Sequence, residues 1–277
     1  MSDTSGYDPH FLEIPVAMPA PIESRTLRTL PYTHFSVLLD PVRRLALATA
    51  VNIDGDRLLD LERGDDWHLD DRVLETEQAG EELYARNDLD RGHQVRRRDP
   101  VWGDRATAQR ANDDTFVFTN AAPQAAKFNQ GEELWSGLED HVLEYARAGK
   151  ARISVFTAPV LDPTDPLYRG IRIPRRFWKI AAWVAESGGE SALRSAAFVL
   201  DQSPQLDAID VRESEADTPP PLGPFRTFQV PVTDVAALTH LDLATLSEAD
   251  VLAAAPRTGA VGASWIRLTT AEDILLG

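Results

Sequence analysis

Apolar positions in this chain fall in short runs separated by charged or turn-rich stretches, a pattern of strands with few long helices. Arg44–Val51 (Arg-Leu-Ala-Leu-Ala-Thr-Ala-Val) reads as a buried strand, and Asn52-Ile53-Asp54-Gly55-Asp56 after it as turn chemistry. Thr115–Thr119, Arg152–Ala158, Phe177–Ala185 and Ala196–Leu200 read as further strands from their β-branched and aromatic content. Between them, Leu134, Leu138, His141, Val142 and Tyr145 recur at helical spacing, which predicts an amphipathic helix from Glu132 to Arg147. Residues 1–35 carry Pro9, Pro15, Pro19, Pro21 and Pro31 and predict an extended arm. The prolines in 213–224 exclude helix and central strand there. Beyond it, Asp234–Leu238 and Leu246–Ala254 read as short helical pieces. The expected organisation is an arm (1–35), one body (36–250) and a C-terminal extension (251–277) packed on that body.

Composition narrows the chemistry. The absence of cysteine removes disulfides, thiolate metal sites and cysteine nucleophiles. No run reaches the ~18–20 apolar residues of a membrane span, and residues 1–6 show no basic-then-apolar leader, so a cytoplasmic protein is expected. The net charge of −16 disfavours a generic nucleic-acid coat protein. Its distribution is uneven: residues 51–90 hold fourteen acidic residues against four arginines, whereas 91–110 hold six arginines against two aspartates. A basic island therefore sits in an acidic chain.

The densest chemistry lies at 90–139: Asp90-Arg91-Gly92-His93, Asn120, Pro123-Gln124, Asn129-Gln130-Gly131, Trp135 and Leu138-Glu139. Each piece alone is commonplace. As a set they hold a base for water, an amide oxygen for a hard divalent cation and guanidinium groups for phosphate. Those are the parts that phosphodiester hydrolysis needs. Glycine beside the histidine lets a backbone or a phosphate approach closely. Trp102, Trp135 and Trp178 are read as core residues, and His68 and His141 as structural.

These motifs, in this order, resemble the DNA/RNA non-specific endonuclease family, endonuclease G-like members of the ββα-metal (His-Me finger) nucleases. The Asp-Arg-Gly-His motif and the nine-residue step from Asn120 to Asn129 carry the likeness. Upstream it includes Arg63-Gly64-Asp65-Asp66-Trp67, and downstream Val155-Phe156-Thr157-Ala158-Pro159-Val160 and Ile173-Pro174-x-x-Phe177-Trp178-Lys179. The resemblance implies an α+β fold: a central, mostly antiparallel sheet flanked by helices, with the catalytic histidine on a strand or loop and the metal asparagine on the helix that follows. It implies His93 as general base, Asn129 as the single protein ligand of Mg²⁺ (Mn²⁺ as substitute), and Glu139 as the acid that hydrogen-bonds the metal's water. Arg63 matches the arginine that steadies the phosphate, with Arg57 as its rival; Arg91 lies beside substrate, and Asn120 orients His93 or the metal waters. Ten helical residues span ~15 Å, so Asn129 and Glu139 share one ion only if the chain bends, and Gly131 is where a bend is expected. Leu143 stands where some members carry arginine.

The expected activity is hydrolysis of DNA and RNA phosphodiester bonds with little sequence preference. The competing expectation is a weakly active nuclease-fold module that binds nucleic acid or a partner protein. A non-specific nuclease without a leader calls for control by an inhibitor or activating partner, or for non-Sec export as an effector. The resemblance also allows a homodimer.

Overall fold

The computed structural model describes residues 6–125, 143–144, 146–187, 189–204, 206, 226–253, 265–270 and 273–275. Its strands in chain order are β1 (Ala20–Pro21), β2 (Arg28–Tyr32), β3 (Phe35–Asp40), β4 (Leu45–Asp54), β5 (Leu89–His93), β6 (Ala121–Ala125) and β7 (Arg152–Pro159). They continue with β8 (Leu167–Tyr168), β9 (Ile171–Arg172), β10 (Arg176–Ser187), β11 (Glu190–Asp201), β12 (Arg226–Val230), β13 (Leu241–Asp242) and β14 (Ile266–Leu268). The named helices are short: α1 (Glu81–Tyr84), α2 (Arg105–Asp114), α3 (Val232–Thr239) and α4 (Ala244–Glu248).

Eight strands form one sheet in the order β14-β12-β11-β10-β7-β4-β3-β2, and every pairing in it is antiparallel. The central strands are covered on both faces, which is why β4 reads as an unbroken apolar run. All ten of its residues are buried. Successive side chains of a strand point to opposite faces. Phe177, Ala181, Trp183, Phe198 and Leu200 accordingly join one core, and Trp178, Ile180, Ala182, Ala197 and Val199 join another. The first core also takes in Leu83, Leu89, Phe118 and Ala121; the second takes in Tyr7, Leu12 and Val16 from the arm, with Val232 and Val235 of α3. β10 and β11 make a long hairpin closed by two residues, of which Gly189 has φ +87, a left-handed value that glycine adopts without strain.

Several sequence expectations change. The sheet begins inside the segment read as an arm, because Arg28–Tyr32 pairs with β3 as its edge strand. The strand β4 runs on through Asn52, Ile53 and Asp54, so the turn starts only at Gly55. Thr115–Thr119 is no strand. The α2 helix ends there, Thr115 Oγ1 donates to the Asn112 carbonyl (2.7 Å), and Phe118–Asn120 forms a 3₁₀ turn. Its aromatic residues are buried by packing instead of by strand pairing. Of the helix expected over Glu132–Arg147, residues 143–144 and 146–147 are described and are helical, and the helix runs on to residue 149. The loop expected at 213–224 lies outside the described residues.

Candidate active site

Strands β5 and β6 stand apart from the main sheet as a two-stranded antiparallel ribbon that pairs His93 with Ala121, Gly92 with Ala122 and Asp90 with Gln124. The ribbon is fastened at both ends by buried amides. At one end, Asn120 Oδ1 accepts from Val95 N (2.8 Å), and its Nδ2 donates to the carbonyls of Val95 and Thr115 (3.0 Å each). Gln94 N adds a bond to the Asn120 carbonyl (2.8 Å). At the other end, Gln202 Oε1 accepts from Ala125 N (3.1 Å) while its Nε2 donates to Pro123 O (3.3 Å) and Pro174 O (2.6 Å). Between these anchors the Gln124 side chain crosses Gly92. A Cβ built on Gly92 would stand 2.1 Å from it, so what approaches this glycine is a glutamine of the partner strand.

His93 packs against aromatic rings. Trp67 lies 4.7 Å from it between centroids, and Phe116 meets it edge-on at 5.1 Å and 87°. Its Nε2 is buried and has no hydrogen-bond partner among the described residues. Burial, and after it the cations of Arg63, Arg97 and Arg91, hold the imidazole down to about 3 from its ordinary 6.5. The ring is therefore neutral across the physiological range.

The arginines differ in what holds them. Arg91 is bridged to Glu81 (2.6 Å), with its guanidinium 5.7 Å from the Trp67 ring. Arg63 is exposed and has no ion-pair partner among the described residues. Its rival Arg57 lies over Trp102 (5.3 Å) and acts on His34 instead of His93. Arg97 donates through one nitrogen to Leu61 O (3.1 Å) and Asn112 Oδ1 (3.0 Å). Gly64 brings these pieces together: a Cβ there would lie 3.5 Å from the Phe116 ring and 3.9 Å from the Asn112 amide.

The structure thus gathers His93, Arg63 and Arg91. Asn120, expected to orient His93 or the metal waters, adjoins the ribbon. It is fully buried, and its side chain braces the backbone that follows His93. Asn129 and Glu139 lie outside the described residues, as do Trp135 and His141. Leu143 is packed in the core. Trp178 is buried, and Trp102 is half-buried with its ring stacked on His34 at 3.4 Å. Among the described residues, no three His, Asp or Glu side chains gather as a metal site. Asn112 and Gln202 were not singled out from the sequence, Gln124 entered only as part of the motif set and Arg97 only as part of the basic island. The one local signal was Asp104, which caps α2 by accepting from Ala106 N and Thr107 N and so places Asn112 on a helix.

Comparison with known proteins bears on the family and the fold. A family model described as DNA/RNA non-specific endonuclease matches residues 19–250. An uncharacterized protein, y4fB of Sinorhizobium fredii, is 42% identical over 231 residues, covering 78% of this chain and 33% of that protein. Mitochondrial endonuclease G of Bos taurus is 29% identical over 52% of this chain and 48% of its own length. The human protein is 27% identical over 71% of this chain and 62% of its own length. The chain therefore spans a third to under two thirds of these relatives. The fold resembles that of EndoG in a crystal structure of an EndoG/EndoGI complex, with a TM-score of 0.57 at 20% identity, covering 84% of this chain and 89% of that one.

Proposed function

The chain belongs to the DNA/RNA non-specific endonuclease family, and we propose that it hydrolyses phosphodiester bonds of DNA and RNA with His93 as general base. The observation that carries this reading is the buried, unpartnered Nε2 of a neutral imidazole inside a ring of arginines. One nitrogen of a neutral imidazole carries a lone pair that can take a proton from water, and no hydrogen bond commits Nε2 as the donor. The cations of Arg63 and Arg91 attract an anionic phosphate and stabilise the charge that builds on it during attack. Trp67 and Phe116 fix the ring plane and keep bulk water off it.

Burial first, and the same cations after it, make the empty-handed histidine a weak base. A bound phosphodiester offsets the cations' share and raises the basicity of His93. Asn120 positions His93 through the backbone it braces. Asn129 would hold the divalent metal, with Glu139 on its water shell. When bound, Mg²⁺ would supply Lewis-acid stabilisation of a phosphoryl oxygen. An inhibitor protein is the partner this reading expects, in keeping with the EndoG/EndoGI complex.

The test is a digestion time course on supercoiled plasmid and on RNA, with Mg²⁺, Mn²⁺ or chelator. Cleavage by the purified chain, lost in chelator and in His93→Ala, is the expected result. Intact substrates under every condition, or identical nicking by His93→Ala, would overturn it.

A further inference from the structure

We propose that Arg97 is a further phosphate-contacting residue of this site, a pre-set fork for the nucleic-acid backbone held in place by Asn112 and the Leu61 carbonyl. This rests on the nuclease reading and adds a residue to it. A guanidinium has five N–H donors in a fixed plane. In Arg97 both hydrogen bonds leave from a single terminal nitrogen, to Leu61 O and Asn112 Oδ1. The remaining edge, Nε–H with the other terminal nitrogen, has no partner among the described residues, and neither atom is sealed from solvent. That edge is the one that grips phosphate with two parallel bonds.

Two contrasts single Arg97 out. Its hydrogen-bond partners are neutral carbonyls and it makes no ion pair among the described residues, whereas its neighbour Arg98 is bridged to Asp60 (2.9 Å) and Arg91 to Glu81. It is also fixed in place, whereas the exposed Arg63 has no hydrogen bond to hold it among the described residues. The anchor sits at the site itself. Asn112 and the Phe116 ring that abuts His93 both border Gly64, next to Arg63 in the chain. A cation fixed before substrate arrives binds ground state and transition state alike, so its removal acts mainly on KM.

The experiment compares Arg97→Gln, Arg97→Lys, Asn112→Ala and the control Arg98→Gln with the unaltered chain. Binding of a fluorescent single-stranded DNA oligonucleotide is measured in chelator across a salt series, and cleavage kinetics are measured with Mg²⁺. Loss of one phosphate contact lowers the slope of log K against log salt by about 0.7 on single strands. Arg97→Gln is expected to show that loss and a KM raised about tenfold with kcat held within about twofold. Arg97→Lys, which keeps the charge but not the fork, is expected in between, as is Asn112→Ala, which frees the fork from its anchor. Arg98→Gln is expected to keep the slope. An unchanged slope and KM in a folded Arg97→Gln would overturn the proposal, and so would an equal loss in Arg98→Gln. If Arg97→Gln fails to fold, Arg97→Lys and Asn112→Ala decide by the same slope. Failure of the nuclease reading looks different: the unaltered chain would bind without cleaving, and the salt slope would still report on Arg97.

Discussion

The side chain of Gln124 lies across Gly92 so closely that a methyl group there would stand 2.1 Å from the Gln124 amide. The two residues face each other diagonally across the β5–β6 ribbon, and the clash explains a glycine next to His93 without appeal to the phosphate. Gly92→Ala is therefore expected to cost about 1–3 kcal/mol of stability, the range for overpacking a filled site, and to lower cleavage by displacing His93. Thermal melts and initial rates check this. Shortening the opposing side chain in the double variant Gly92→Ala/Gln124→Ala should recover part of both. A double variant worse than the sum of the two singles would show that the contact is not the cause.

His93 should leave a mark on acid stability. Its folded value, about 3, lies below the ordinary 6.5, because burial and then Arg63, Arg97 and Arg91 disfavour the cation. Between those values the unfolded chain binds a proton that the folded chain does not. Its contribution is thus intact above pH 6.5 and is lost as pH falls toward 3, at up to ~1.4 kcal/mol per pH unit. His93→Gln removes that proton uptake. Urea midpoints measured at about pH 7 and again near pH 4.5 should fall less for His93→Gln than for the unaltered chain. Equal falls in the two proteins would contradict the direction of this linkage.

Arg63 and Arg57 are separated by what they face. Arg63 acts on His93, and Arg57 lies over Trp102. Losing a cation that stabilises developing charge costs about 10²-fold in kcat, and that is the expectation for Arg63→Ala. Arg57→Ala is expected to stay within about twofold, since a substitution outside the reacting groups leaves transition-state binding intact. Steady-state kinetics on one oligonucleotide substrate distinguish the two; the reverse order would transfer the role to Arg57.

Gln202 ties the end of β6 to the loop at Pro174, and residues 126–142, with Asn129 among them, follow directly in the chain. Gln202→Ala leaves Ala125 N and the carbonyls of Pro123 and Pro174 without this partner in a buried place. The expected stability loss is about 1–3 kcal/mol. Because the strand that leads toward Asn129 loosens, the Mg²⁺ concentration for half-maximal cleavage should rise as well. A melt combined with a Mg²⁺ titration tests both; a lower melting point with unchanged Mg²⁺ demand would confine Gln202 to stability.

Asn120 offers a similar separation. Its amide makes three bonds to the backbone around His93. Asn120→Ala should destabilise the fold by about 2–4 kcal/mol, since buried backbone groups lose their partners. The cleavage that remains at low temperature should show a reduced kcat with little change in KM, the signature of a displaced base. A raised KM at constant kcat would instead point to direct contact with substrate.

Much of this molecule was legible in the chain itself. Strands β4, β7, β10 and β11 are long and apolar because the sheet is covered on both faces, so their residues announce burial whatever their neighbours are. The Asp90–His93 motif was legible for a different reason: with Asn120, Asn129 and Glu139 in that order it resembles one family. The ribbon that carries it was not. Leu-Asp-Arg-Gly-His has no alternating pattern, and its extended form comes from pairing with Ala121–Ala125 some thirty residues on. The Phe116–Phe118 run misled in the opposite sense, because aromatic residues pack equally well from a turn. His93 was singled out by its residue type and its motif neighbours, and Arg63 only through the family resemblance. Which polar side chains brace the site was decided only in three dimensions: Asn112 for Arg97 across 15 residues, Asn120 for Val95 across 25 and Gln202 for Ala125 across 77. A hydrogen bond is directional and needs both partners within about 3 Å, and nothing in a lone asparagine or glutamine says which distant carbonyl the fold will bring to it.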